Sequence, residues 1–252
     1  KHEGQISNFY FLISTFREHL QINYMSTMVS AIIVAAGKGV RMNDKLRKQY
    51  LLLAGRPILA YSLMAFDSCN LIDCIILVVP QKDIDYCWKN IVAPLKLRKK
   101  IDLVPGGEKR QDSVYNGLMA ADKDAAEIVV IHDGVRPFVS QEQAAACIAG
   151  AKEYGACILG IPIDDTLKQV NTSGFICSTL KRDNILLAQT PQAFKYDLII
   201  KAHENAKRKG FACTDDASLV EILGGKVKIV YGSKRNIKIT SREDLIFAEA
   251  LI

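Results

Sequence analysis

Short, wholly apolar runs recur along the chain with helix-spaced segments between them, and this alternation is the strongest constraint on the fold. The runs are residues 30–34 (SAIIV), Cys74–Val79 (CIILVV), 101–104, 128–131 and 157–161. They are rich in β-branched residues and apolar throughout, the pattern of strands buried on both faces. Between them, residues 57–66, 84–92, 114–121 and the alanine-rich 141–154 carry helical spacing, with Pro57 acceptable in a first turn. Strands alternating with helices predict an α/β fold, a mostly parallel sheet with helices on both faces. With 252 residues, 49% of them hydrophobic, the chain can bury a sizeable core. No repeat or low-complexity linker divides it, so a single domain is expected over residues 29–252.

Parallel sheets of this kind bind ligands at the carboxyl ends of their strands. The glycine-rich and charged segments fall there: AAGKG after the first run, GGEKRQDS after the third, HDGVRP after the fourth. Their recurrence at one end is hard to account for by simple connecting turns. In the first loop Ala35, Ala36, Gly37, Lys38 and Gly39 let backbone amides approach a ligand, while Arg41, Lys45, Arg47 and Lys48 add positive charge. A dinucleotide fingerprint fails because its third glycine position holds Met42. A Walker A loop fails because Gly37-Lys38 is followed by Gly39 and Gly225-Lys226 by Val227. What remains is a loop for a polyphosphate, with Arg41 and Lys48 able to reach back over it.

The formal charge of +6 is small and dispersed, which argues against a nucleic-acid partner and suits an anionic small molecule. Seven cysteines without a CxxC pair fit reduced thiols in the cytoplasm. The four histidines form no ligand pair, so a metal is expected to arrive with the substrate rather than in a protein site. Residues 1–28 stand apart as an N-terminal extension of unknown role. Their one apolar run, residues 9–13, is too short for a membrane span and lacks the flanks of a signal peptide.

Residues 163–189 break the alternation. A polar stretch with Asn171 to Gly174 precedes the strand-like 175–180, which predicts a projecting hairpin. A lone hairpin is marginal in water, so a second subunit is expected to cover it. The chain then returns with a helix near 197–207, a helix start at Thr214-Asp215-Asp216, strands at 227–230 and 237–239, and a last helix.

Taken together, AAGKGVRM, KQY at 48–50, GGEKRQDSV, HDGVRP, DDTLK at 164–168, KRDNILLAQTPQ, TDDAS and NIKIT stand in the order and at the spacing of one family. The chain resembles the 2-C-methyl-D-erythritol 4-phosphate cytidylyltransferases of non-mevalonate isoprenoid synthesis from about Met28 to its end. The resemblance implies a Rossmann-like nucleotidyltransferase fold, CTP as cosubstrate, Mg2+ as cofactor held mainly by the triphosphate, and a homodimer joined through the β-arm. It also implies site residues. Arg41, Lys48 and Lys238 match the catalytic cations. Ala35, Ala36, Gly37, Gly39, Gly107, Glu108, Arg110 and Ser113 match the nucleotide loops. Asp133, Arg136 and Thr214 match residues that hold the polyol phosphate, and Thr166 and Arg182, in the arm, match residues that act across the dimer.

Two positions depart from the family pattern: Gly134, where HDAAR or HDAVR is commoner, and Arg47, where a proline commonly precedes the lysine. The first leaves the rigidity of that loop open, the second the aim of Lys48. The competing readings are a cytidylyltransferase for ribitol 5-phosphate or another polyol phosphate, and a non-catalytic nucleotide-binding regulator. The presence of all three cations weighs against the regulator. The end of the chain at Ile252 weighs against a fusion with a downstream enzyme.

Overall fold

The computed structural model describes residues 28–37 and 47–252. Gly39 and Arg41, and the extension before Met28, lie outside the described residues. From β1 (Met28–Val34) the chain passes through a small ribbon, β2 (Leu52–Leu53) and β3 (Arg56–Pro57), to α1 (Ile58–Ser68) and β4 (Cys74–Val79). An irregular helical stretch over 81–95 leads to β5 (Lys100–Pro105), α2 (Arg110–Ala120), β6 (Ala126–Asp133), α3 (Gln141–Tyr154) and β7 (Ala156–Pro162). There follow β8 (Leu167–Val170), β9 (Ile176–Leu180), β10 (Leu186–Lys195), α4 (Tyr196–Lys209), α5 (Asp216–Ile222), β11 (Lys228–Tyr231) and α6 (Arg242–Glu249).

The main sheet has seven strands in the order β5-β4-β1-β6-β10-β7-β11. All neighbours are parallel except β10, which runs antiparallel to both β6 and β7. From β1 the chain first builds β4 and β5 on one side, then returns to place β6 on the other. The order therefore reverses between β1 and β6, and the crevice at their carboxyl ends is where such sheets bind ligands.

The apolar runs form strands here because both faces are covered. Ala31 and Ile33 pack into one core with Leu59, Leu63 and Phe66 of α1 and Cys147 and Ile148 of α3. Ile32 and Val34 point the other way, into a core with Val114 and Leu118 of α2 and Ile199 and Ala202 of α4. Each fully buried side chain of this size contributes roughly 1.5–3 kcal/mol. A third, smaller cluster joins Leu53, Ile58, Val135, Ile239 and Ala248, and so ties the ribbon, the loop after β6 and α6 together.

Three expectations are corrected. Residues 186–189 do not belong to the arm: with 190–195 they form β10, in the middle of the sheet. Its pairing with β7 skips from Gln189 to Gln192, and the skipped residues include Pro191, which a bulge tolerates and a regular ladder would not. The hairpin itself, β8 with β9, forms a separate two-stranded sheet. Ile237 to Ile239 is not a strand. Ile239 donates one hydrogen bond to the Val135 carbonyl (2.9 Å) and is held by burial. Finally, the helix expected from 114 begins at Arg110, so half of the GGEKRQDS segment is its first turn.

Candidate active site

The three loops converge on the crevice, each docked by backbone hydrogen bonds from the strand ends. Ala35 N donates to Val78 O (2.7 Å), Gly106 N to Val79 O (2.8 Å) and Gly134 N to Val34 O (2.9 Å). The first and second loops touch: a Cβ on Gly106 would collide with Ala36 Cβ and come within 3.0 Å of Ser113 Oγ, so glycine is required for this approach. Ser113, in the first turn of α2, accepts from Gly107 N (3.1 Å) and donates to Lys109 O (3.1 Å), which closes the second loop on itself.

Two residues just beyond the undescribed part of the first loop reach back to its start. Gln49, buried, donates from Nε2 to Ala35 O (2.6 Å), and Arg47 donates from Nη1 to Gly37 O (3.3 Å) while pairing with Asp83 (2.7 Å). Arg47 has φ −68°, a value proline would also adopt, so arginine here keeps the backbone turn into Lys48 and adds a tether. Gly134 is likewise firmly placed, buried and tied to β1, and a Cβ there would come within 2.9 Å of Leu59 Cδ1.

These loops line a cavity of about 170 Å³ whose walls include Ala35, Ala36, Gly37, Gly107, Glu108 and Ser113, together with Lys48 and Lys238. A second cavity, of about 210 Å³, is lined by Arg136, Thr190, Gln192 and Thr214 among others. The two share Arg110, Asp133 and Lys238. At this junction Arg110 Nε donates to Asp133 Oδ1 (3.1 Å), Lys238 Nζ to Asp133 Oδ2 (2.7 Å), and Arg136 Nε lies 3.8 Å from Oδ2. Burial alone would raise the Asp133 carboxyl, but Arg110, Lys238 and Arg136 together hold it well below the usual carboxylate range. Arg110 is held above its ordinary value by Asp216 and Asp133 against the opposing effect of burial. Arg136 donates from Nη1 to Asn236 O (2.8 Å), while its Nε is buried with no hydrogen-bond partner among the described residues.

Of the residues expected from the sequence, those of the nucleotide loops and of the acceptor side that the structure describes line one or both cavities, as do Lys48 and Lys238, while Gly39 and Arg41 lie outside the described residues. Thr166 and Arg182 are exposed on the hairpin segment and line neither cavity. Residues not singled out from the sequence also take part: Gln49, Lys109, Val135, Thr190, Gln192 and Asp216. All six lie inside the motifs quoted above, Gln49 in KQY, Lys109 in GGEKRQDSV, Val135 in HDGVRP, Thr190 and Gln192 in KRDNILLAQTPQ and Asp216 in TDDAS, so motif membership was the signal that could have found them. No group of three His, Cys, Asp or Glu that could hold a metal occurs among the described residues.

The model of one family, described as 2-C-methyl-D-erythritol 4-phosphate cytidylyltransferase, matches residues 29–252. The chain belongs to this family. It is similar to the 2-C-methyl-D-erythritol 4-phosphate cytidylyltransferase of Pelotomaculum thermopropionicum, with 48% identity over 89% of this chain and 94% of that one. It is similar also to the cytidylyltransferase of Caldanaerobacter subterraneus subsp. tengcongensis, with 47% identity over 89% and 98%. Among solved structures, the 4-diphosphocytidyl-2C-methyl-D-erythritol synthase of Anaerococcus prevotii superposes with a TM-score of 0.80 at 38% identity, covering 91% of this chain and 98% of that one. As a cytidylyltransferase-family chain it is a nucleotidyltransferase, and its two cavities are to be read in those terms. All seven cysteines are unpaired, and no helix among the described residues is long and apolar enough to cross a membrane.

Proposed function

We propose that this chain transfers the cytidylyl group of CTP to the phosphate of 2-C-methyl-D-erythritol 4-phosphate, giving 4-diphosphocytidyl-2-C-methyl-D-erythritol and pyrophosphate. The observation that carries this reading is the pair of cavities meeting at Arg110, Asp133 and Lys238. The nucleotide occupies the first, against Ala35, Ala36, Gly37, Gly107, Glu108 and Ser113. The polyol phosphate occupies the second, with Asp133, Arg136 and Thr214 around it.

The acceptor's phosphate oxygen attacks the α-phosphorus. That P–O bond forms as the bond from the α-phosphorus to the bridging oxygen breaks, and pyrophosphate leaves with the electron pair. A phosphate monoester has a second pKa near 6, so the nucleophile is already ionised at neutral pH and no general base is required. The barrier is repulsion between a dianion and a triphosphate, which fixed cations relieve. Asp133 gathers Arg110, Arg136 and Lys238 into one cluster. Lys238 has three ammonium protons, so it can keep its bond to Asp133 and still donate to a phosphate oxygen. Arg41 and Lys48 are assigned to the triphosphate from the first loop.

A divalent cation fits as a passenger on the triphosphate, since magnesium is commonly held by substrate phosphates plus one or two carboxylates. Asp133 is committed to its cations, which leaves Glu108 as the carboxylate of the first cavity to approach it. When bound, the cation would offset charge on the phosphate oxygens.

The enzyme is further read as a cytoplasmic homodimer. Val170, Phe175, Ile176 and Leu180 are exposed on a hairpin too small to be stable by itself, and a second copy would cover them and bring Thr166 and Arg182 to the acceptor cavity. Seven unpaired cysteines suit a reducing compartment.

Pyrophosphate release from CTP and magnesium with methylerythritol 4-phosphate tests the reaction, run beside ribitol 5-phosphate. Release with the first acceptor is expected, and Lys238→Ala should reduce it by about a thousandfold. A preference for ribitol 5-phosphate would move the assignment to another polyol phosphate.

A further inference from the structure

Two helices begin at the reaction centre, and their first residues are paired. Arg110 opens α2 and Asp216 opens α5. An aspartate in a first turn favours its helix, whereas an arginine there opposes the helix dipole, so α2 gains nothing from Arg110 at this position. The guanidinium is fixed on two edges: Nε donates to Asp133 Oδ1 (3.1 Å) and Nη1 to Asp216 Oδ2 (2.7 Å). Nη2 makes no hydrogen bond to another described residue.

Asp216 is itself held from behind. Its side chain is 1% exposed, and its second oxygen lies 3.2 Å from Nε2 of His203 on α4, itself buried. A carboxylate only accepts, so Nε2 carries the proton of that bond. The Asp216 backbone amide donates to Gln192 Oε1 (3.2 Å), and Gln192 Nε2 donates to Asp215 Oδ2 (2.8 Å), which anchors the start of α5 to β10. Asp216 lines neither cavity, whereas Arg110 lines both.

We propose that Asp216, backed by His203, is a positioning residue that fixes the Arg110 guanidinium where the nucleotide and acceptor cavities meet, so that one arginine aligns both phosphates. The pair also joins the nucleotide-side helix to the segment carrying Thr214, on the acceptor side. A guanidinium freed from Asp216 would keep its charge and lose its aim, and a displacement of about 1 Å can cost on the order of a hundredfold in rate.

The proposal rests on the cytidylyl-transfer reading and is tested by a double-mutant cycle with two readouts, turnover and CTP binding. The proteins are wild type, Asp216→Asn, Arg110→Ala and the double variant. Asp216→Asn is expected to lower kcat/KM by about a hundredfold, with KM rising for both substrates, and to weaken CTP binding. In the Arg110→Ala background the same change should do nothing further, within about twofold. Additive losses in the two backgrounds would overturn the proposal, because a purely structural carboxylate acts whether or not the arginine is present. If Asp216→Asn is unfolded by circular dichroism, His203→Gln takes its place, with a smaller loss of the same kind and the same dependence on Arg110. Wild-type protein that releases no pyrophosphate overturns the functional reading instead, and the binding cycle then still decides the positioning role.

Discussion

His132, at the end of β6, has no exposed surface and packs tilted against Phe66, with ring centroids 4.8 Å apart. His132 Nε2 donates to Arg136 O (3.1 Å), a carbonyl that only accepts, so Nε2 carries a proton. Burial disfavours a second proton on the ring, so Nδ1 accepts from the Thr190 hydroxyl (3.2 Å), whose oxygen accepts from the Asp133 amide (3.1 Å), and the neutral ring fixes the backbone of both Asp133 and Arg136. Burial pulls His132 down from 6.5 to about 4, against the opposing pull of the Arg136 carbonyl and Asp133. As pH falls from about 6.5 to about 4, the unfolded chain takes up a proton that the folded chain refuses. Folding stability should drop over that window by roughly 3 kcal/mol. The buried carboxylates Asp133 and Asp216, both held low by their cations, keep their contribution above about pH 4 and lose it only below. Thermal denaturation against pH should thus show a slope between pH 6.5 and 4.5 that flattens in His132→Gln. An unchanged slope would assign the effect to other groups.

At the scale of elements, what was legible in the sequence was what local chemistry decides. The helix over 141–154 was readable to the residue because Ser140 and Gln143 cap each other at its start and Gly155, at φ 88°, ends it. The buried strands were readable because a run such as CIILVV has nowhere to go but a two-faced core. β10 was not, since its two glutamines and a proline look like a loop until the bulge and the bonds to Asp215 and Asn236 are seen. Lys238 was readable only through its motif. Nothing local signals that Ile239 is anchored to Val135, across a gap of about a hundred residues, and holds that lysine beside Asp133. The arm was legible as a hairpin. If it supplies Arg182 in trans, mixing inactive Lys48→Ala with inactive Arg182→Ala should restore activity through hybrid dimers that carry one intact site. Absence of recovery, with subunit exchange shown by mass spectrometry, would overturn the assignment of Arg182 to the partner's site.

Across the whole molecule, the sheet does two things at once. Its strands bury both faces and make a stiff platform, and the reversal of strand order between β1 and β6 opens the crevice in which the loops after β1, β5 and β6 meet. β10 then brings Thr190 and Gln192 to the other side of Asp133, so that the second cavity adjoins the first. The cation cluster lies where the two cavities meet, so it can offset the repulsion that opposes attack of one phosphate on another. The central step is attack by the acceptor phosphate on the α-phosphorus. The direct measurement follows methylerythritol 4-phosphate carrying 18O in its non-bridging phosphate oxygens through turnover with unlabelled CTP, with both products read by mass spectrometry. All of the label is predicted in the diphosphocytidyl product and none in pyrophosphate. Labelled pyrophosphate, or turnover of CTP with the label left in free methylerythritol phosphate, would contradict it.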